Sequence, residues 1–135
     1  LPTETEWEYA ARIAVCDRPL EQQSWNEANS QYQTHTVGQH MGSSESFGIS
    51  DMAGNVWEWC WDYYGPYPKG KTVDPIGPKS GTTRVARGGS WVDSQRIVRP
   101  ANRGQAPETH RSSGIGFRLA RNGTASIQKS TDDTI

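Results

Sequence analysis

The residues of this chain that could do chemistry are few and scattered. Cys16 and Cys60 are its two thiols, far apart and in neither a CxxC pair nor zinc-ligand spacing. Two readings stay open for them: a disulfide, which needs an oxidising compartment, or two unrelated buried thiols. His35 and His40 have no carboxylate or cysteine at metal spacing and read as solvent-facing loop residues. Ser90 follows Gly88-Gly89, but His110 lies on a polar loop with no suggestive spacing to it, so a serine-hydrolase triad is not supported. The densest polar chemistry runs from Ser94 to Ser113, with Arg96, Arg99, Arg103 and Arg111 beside Asn102 and Gln105. Guanidinium and amide groups of this kind hold a peptide or a carboxylate-bearing ligand, or else pair internally with acidic side chains.

Elements must position these groups. Leu1-Pro2-Thr3-Glu4-Thr5-Glu6-Trp7 opens a short helix: Thr3 and Glu6 fit a capping box, and Trp7, Ala10 and Ala11 share one face. Pro19 ends it, and 20–46 is polar and aperiodic, an irregular loop anchored by Trp25 and Tyr32. Val56 to Tyr63 alternates strictly and predicts a strand, with Trp57, Trp59, Trp61 and Tyr63 on one face and Val56, Glu58, Cys60 and Asp62 on the other. The aromatic face either closes a core short of aliphatics or forms a shelf for a ligand. Arg84 to Trp91 predicts a second strand broken by Gly88-Gly89, a bulge or a close backbone approach. Gly114 to Ala120 predicts a last strand with Ile115, Phe117 and Leu119 together, and the patternless tail 122–135 is expected to be disordered.

Composition bounds the rest. A chain of 135 residues makes one domain, and six Trp and five Tyr against two Phe, with 14 Gly and 8 Pro, describe a loop-rich fold pinned by large rings. Fourteen basic and fifteen acidic residues give no field to draw nucleic acid, and no apolar run is long enough to span a membrane. The chain opens at Leu1 on a helix start, as a piece of a longer domain would.

Four segments, in order, resemble the C-terminal half of a formylglycine-generating-enzyme/sulfatase-modifying-factor domain. They are Leu1 to Arg12, Asp51-Met52-Ala53-Gly54-Asn55-Val56-Trp57-Glu58-Trp59, Arg87-Gly88-Gly89-Ser90-Trp91, and Gly114-Ile115-Gly116-Phe117-Arg118-Leu119. The resemblance covers 1–121 and implies an α+β, C-type-lectin-like fold with little regular secondary structure, antiparallel strands and long ordered loops. It also implies that a further half-domain precedes Leu1, so the chain alone is expected to expose apolar surface and be marginally stable.

Catalytic members oxidise a sulfatase cysteine to formylglycine with oxygen and copper(I), a soft ion that needs two thiolates on the strand and loop after Gly-Gly-Ser. Here that stretch, Trp91 to Arg99, has no cysteine, and Asp93 stands near the first cysteine's expected place. Trp57 and Ser90 match residues that shape the family's oxygen site, but copper is not expected. The resemblance further implies a calcium site from Asp51, Gly54, Val56 and Glu58, unless Glu58 pairs with an arginine and Asp51 caps a turn. The expectation is therefore a non-catalytic module that recognises a peptide, protein or small molecule through Trp91, Asp93, Arg96, Asn102, Arg103 and Gln105. Its alternatives are formylglycine synthesis or another oxidation with metal ligands outside this chain, a retroelement-diversified display domain, and an accessory to a kinase or secretion apparatus.

Overall fold

The computed structural model describes residues 1–15, 18–40 and 48–123. Cys16 and, beyond Asn122 and Gly123, the expected tail lie outside the described residues. Thr3 caps helix α1 (Glu4–Ala14): its hydroxyl accepts from the Glu6 amide and its amide donates to the Glu6 carboxylate at 2.8 Å. The capping box read from the sequence is thus formed. The helix buries Trp7, Ala11 and Ala14, residues spaced by four and three, against Met52, Cys60 and Val85. Ala10 packs at the margin of this core.

Four strands make a small mixed sheet in the order β3-β2-β1-β4: β1 is Trp57–Tyr63, β2 Arg84–Arg87, β3 Arg103–Ala106 and β4 Ile115–Gly116. The β1–β2 and β2–β3 pairs are antiparallel, whereas β4 runs parallel to β1, pairing Trp57 with Ile115. The expected all-antiparallel sheet therefore carries one parallel edge. That edge is shorter than expected, and Phe117 and Leu119, placed with Ile115 in the sequence reading, are 66% and 81% exposed. Beyond Gly116 the chain is held by Arg118 instead of by strand pairing.

The alternation in β1 is real, but the buried side is the one with the acids. Glu58, Cys60 and Asp62 are buried beneath α1, while Trp57, Trp59 and Tyr63 are half-buried and Trp61 is 55% exposed. Buried carboxylates are tolerated because each has donors: Arg118 and the Trp7 indole for Glu58, the Glu4 amide at the start of α1 for Asp62. Fully buried Arg87 joins the layers, with its guanidinium 2.7 Å from Glu4 and 2.5 Å from Glu8 on α1. Arg103 on β3 meets Glu4 from the other side at 2.6 Å.

The loop region also departs from expectation at three rings. Tyr32 is 69% exposed and anchors nothing, whereas His35 stacks on Trp25 with ring centroids 3.7 Å apart. His40 lies tilted against the same ring at 4.3 Å, so neither histidine is a free surface side chain. Trp25 bridges to Gly54, where a Cβ would fall 2.1 Å from the Trp25 carbonyl oxygen. Gly54 also has φ +72°, and for both reasons only glycine fits there.

Candidate functional site

The Gly-Gly break turns the chain out of β2 to build one wall of a cleft. Gly88 and Gly89 have φ of +97° and +70°, and a Cβ on Gly89 would meet Val98 Cγ1 at 2.7 Å. The close approach read from the sequence is therefore a turn held against the 94–102 segment. Beyond it, Asp93 is a node: one carboxylate oxygen, Oδ2, accepts from the Trp57 indole at 2.9 Å, the Ser90 amide at 2.9 Å and the Ser90 hydroxyl at 2.7 Å. Trp57 lies over Gly104 so closely that a Cβ there would sit 2.6 Å from its ring. Trp91 donates its indole N–H to the Ser113 carbonyl, 3.2 Å away.

Together these residues line an open cleft of about 490 Å3 whose floor is the small residues Ala86, Gly104 and Ala106. His110 and Ser112 stand at its polar edge, and Gln105 lines it from β3 with its side-chain oxygen accepting from the Thr83 hydroxyl at 2.7 Å. The volume is in the range of small-molecule and peptide side-chain sites. Of the residues expected to bind a ligand, the structure brings Trp91, Asp93 and Gln105 here. It takes the other three elsewhere. Arg103 is clamped to Glu4 and stacked 4.1 Å from the Tyr67 ring, Asn102 donates to the Ile97 carbonyl, and Arg96 is exposed off the cleft lining. The guanidinium-lined groove is thus replaced by an indole-walled one. His110, Ser112 and Ser113 were not among the expected ligand residues; their sequence carries only polarity, and the pairing of β3 and β4 with their neighbours brings them close.

The cleft contains no nucleophile set up for hydrolysis. Ser90 donates its hydroxyl directly to Asp93, and among the described residues the His110 ring makes no hydrogen bond to either. Nor is there a thiol in it. Cys60 is fully buried on the opposite face of β1, in the core with Trp7 and Val85, and that burial pushes its thiol far up from its ordinary value. Such a thiol is inert at neutral pH.

Glu58 and Asp51, two of the four residues that the resemblance offers to calcium, carry oxygens that are already engaged. Glu58 accepts from Arg118 Nε and Nη2, both at 2.7 Å, and from the Trp7 indole at 2.6 Å. Arg118 Nη2 also donates to the Ser50 and Asp51 carbonyl oxygens, at 3.0 and 3.3 Å. The Asp51 carboxylate accepts from the Gly38 amide at 2.6 Å. The guanidinium thus takes both oxygens of Glu58, and a carboxylate so paired does not fit a calcium ion in this arrangement. Among the described residues no three His, Cys, Asp or Glu side chains gather to hold a metal.

A second cavity, of about 520 Å3, lies under the proline-rich 64–78 loop, between Tyr67, Ile76 and the start of α1. It is slightly larger, but its charged groups already answer one another: Glu4 pairs with Arg103 and Asp62 accepts from the Glu4 amide. Burial nonetheless pushes the Asp62 carboxyl above its ordinary range. The cleft at Asp93 is the better candidate because its polar atoms are not all matched internally.

A family model described as "Sulfatase-modifying factor enzyme 1-like domain" matches residues 1–123. The chain belongs to this family. Its curated relatives include a formylglycine-generating enzyme of Streptomyces coelicolor, 36% identical over 89% of this chain and 46% of that protein. They also include the serine/threonine-protein kinase pkn1 of Chlamydia pneumoniae, 36% identical over 90% of this chain and 21% of that one. Among solved structures, Treponema denticola variable protein 1 superposes with a TM-score of 0.77 at 37% identity, over 87% of this chain and 45% of the other. PvdO from Pseudomonas aeruginosa gives 0.70 at 25% identity, over 87% and 50%. The small mixed sheet is thus the family's lectin-like fold, and the chain spans half or less of the length of these relatives. No helix among the described residues is long and apolar enough to cross a membrane.

Proposed function

We propose that this domain recognises a ligand in the cleft between Trp57, Trp91 and Asp93, and that it does not make formylglycine. The observation that carries the reading is the Asp93 node. Near the place where the resemblance puts the first thiolate of catalytic members, a carboxylate holds Ser90 and Trp57 by three hydrogen bonds. Carboxylate oxygen is a hard donor and a poor partner for copper(I), and the one described thiol is buried on the far side of the sheet. Ser90 and Trp57 then shape a pocket in place of an oxygen site. That relatives carry names as different as an enzyme, a kinase and a variable protein fits a fold on which separate functions have been placed.

The test is to incubate the full chain with copper(I), oxygen and a peptide bearing Cys-x-Pro-x-Arg, and to follow the peptide cysteine by mass spectrometry. The peptide is expected to stay unchanged; conversion to formylglycine sinks the reading and places the copper ligands outside the stretch from Trp91 to Arg99. A display role is favoured by one observation: the cleft rim at Val92, Gln105, His110 and Ser112 is exposed and takes no part in the core. Sequencing the locus in sibling strains checks it, since a diversified rim varies while Trp57, Asp93 and Gly89 do not.

A further inference from the structure

Every carboxylate that the fold buries deeply is answered by a cation or a helix N-terminus. Glu4 meets Arg87 and Arg103, Glu8 meets Arg12 and Arg87, Glu58 meets Arg118, and Asp62 takes the first amide of α1. Even exposed Glu108 pairs with Arg84. Asp93, on the wall of the cleft, has no such partner. Its side chain is half-buried, it meets only the neutral donors of Trp57 and Ser90, and all three contacts fall on Oδ2. Oδ1 accepts nothing from the described residues. No lysine or arginine lines the cleft, so the one formal charge on its wall is negative and uncompensated. The walls around it are the indoles of Trp57 and Trp91, rings whose faces attract cations.

Resting on the recognition reading above, we infer that the ligand presents an organic cation, an alkylammonium or guanidinium group, to Asp93 between the two tryptophans. A cation placed there supplies the missing partner to Oδ1, gains from the indole faces, and leaves the bonds on Oδ2 in place. An anionic ligand would meet the Asp93 charge with no arginine to offset it. This reverses the ligand charge that the arginine-rich 94–113 sequence suggests, because Arg103 is committed to Glu4 and Arg96 lies off the cleft.

The test uses the full chain and four probes: acetyl-Gly-Lys-Gly-amide, acetyl-Gly-Arg-Gly-amide, acetyl-Gly-Glu-Gly-amide and n-butylammonium. The readout is the NMR signals of the Trp57 and Trp91 indole N–H groups, both at the cleft. The cationic probes are expected to move them saturably and more weakly at high salt, and the glutamate peptide not at all. Equal response to butylammonium and the lysine peptide marks a small-molecule source; a preference for a peptide marks a protein one. Asp93→Asn is expected to weaken the cation at least tenfold. Should that variant fail to fold, His110 at the exposed rim serves: His110→Glu tightens the cation several-fold and His110→Lys loosens it. Binding of the glutamate peptide alone overturns the cation and leaves recognition standing. Indifference of the signals to every cationic probe, or equal affinities in the two His110 variants, also overturns the cation, while recognition is still judged by the formylglycine assay.

Discussion

Arg118 is the cation that meets Glu58 at the start of β1. Its guanidinium draws together the Glu58 carboxylate and the carbonyls of Ser50 and Asp51, and although burial works to lower its pKa, Glu58 raises it, so the charge is permanent. Calcium is therefore expected to leave the thermal midpoint of the full chain unchanged at every concentration, since a ligand of the native state must raise it. Arg118→Met leaves Glu58 buried without its partner and is expected to lose about 3 kcal/mol in denaturant unfolding. A midpoint that climbs with calcium contradicts this account. At this scale the sequence is legible only where a residue's role is local. Thr3 caps α1 and Gly89 makes a close backbone approach, as their motifs imply. The arginines do not all sort themselves, because Arg96 and Arg103 look alike until Glu4 is placed in space beside Arg103.

Among elements, the attachment of α1 to the sheet runs through charge as much as through Trp7. Arg87 is 0% exposed and bridges two glutamates of one helix, so removing it leaves Glu4 to Arg103 and Glu8 to Arg12. Arg87→Ala is expected to destabilise the fold by about 3–5 kcal/mol, the range for breaking a buried pair from one side. It should also change the acid limb of unfolding. Burial pushes the Glu8 carboxyl up, but hydrogen bonds to Arg12 and Arg87 hold it below its ordinary 4.5. A lowered carboxylate stabilises the fold above that ordinary value, and the contribution disappears as pH falls through the lowered one. With Arg87 gone, midpoints measured below about pH 4.5 should fall less steeply than in the parent chain. An unchanged acid limb would mean that Arg12 alone sets Glu8. Strand β1 shows why such networks escape a reading of pattern. Alternation located the strand to within one residue, yet ring size suggested the wrong inner face, because burial followed the availability of hydrogen-bond partners. The edge strand β4 failed differently: Phe117 and Leu119 continue the alternation, but pairing with β1 stops at Glu58 and Gly116, and farther along β1 the Trp61 amide donates to the Pro2 carbonyl.

For the whole molecule, composition foretold a domain with few helices, long loops and large rings, and the family match over 1–123 agrees. It could not foretell which surface stays open. Trp61, Phe117 and Leu119 are exposed, and the chain spans 45–50% of the two structures it superposes on, so exposed apolar area is no guide to a site here. The cleft is distinguished instead by its chemistry: two indoles, a carboxylate with one unmatched oxygen, and no thiol. The central claim is that this cleft is not a copper site. The most direct measurement is a titration of the full reduced chain with copper(I), without oxygen, following the Trp57 and Trp91 indole signals. The account predicts that both stay fixed through one equivalent. A stoichiometric shift of both signals would place copper beside Asp93 and contradict it.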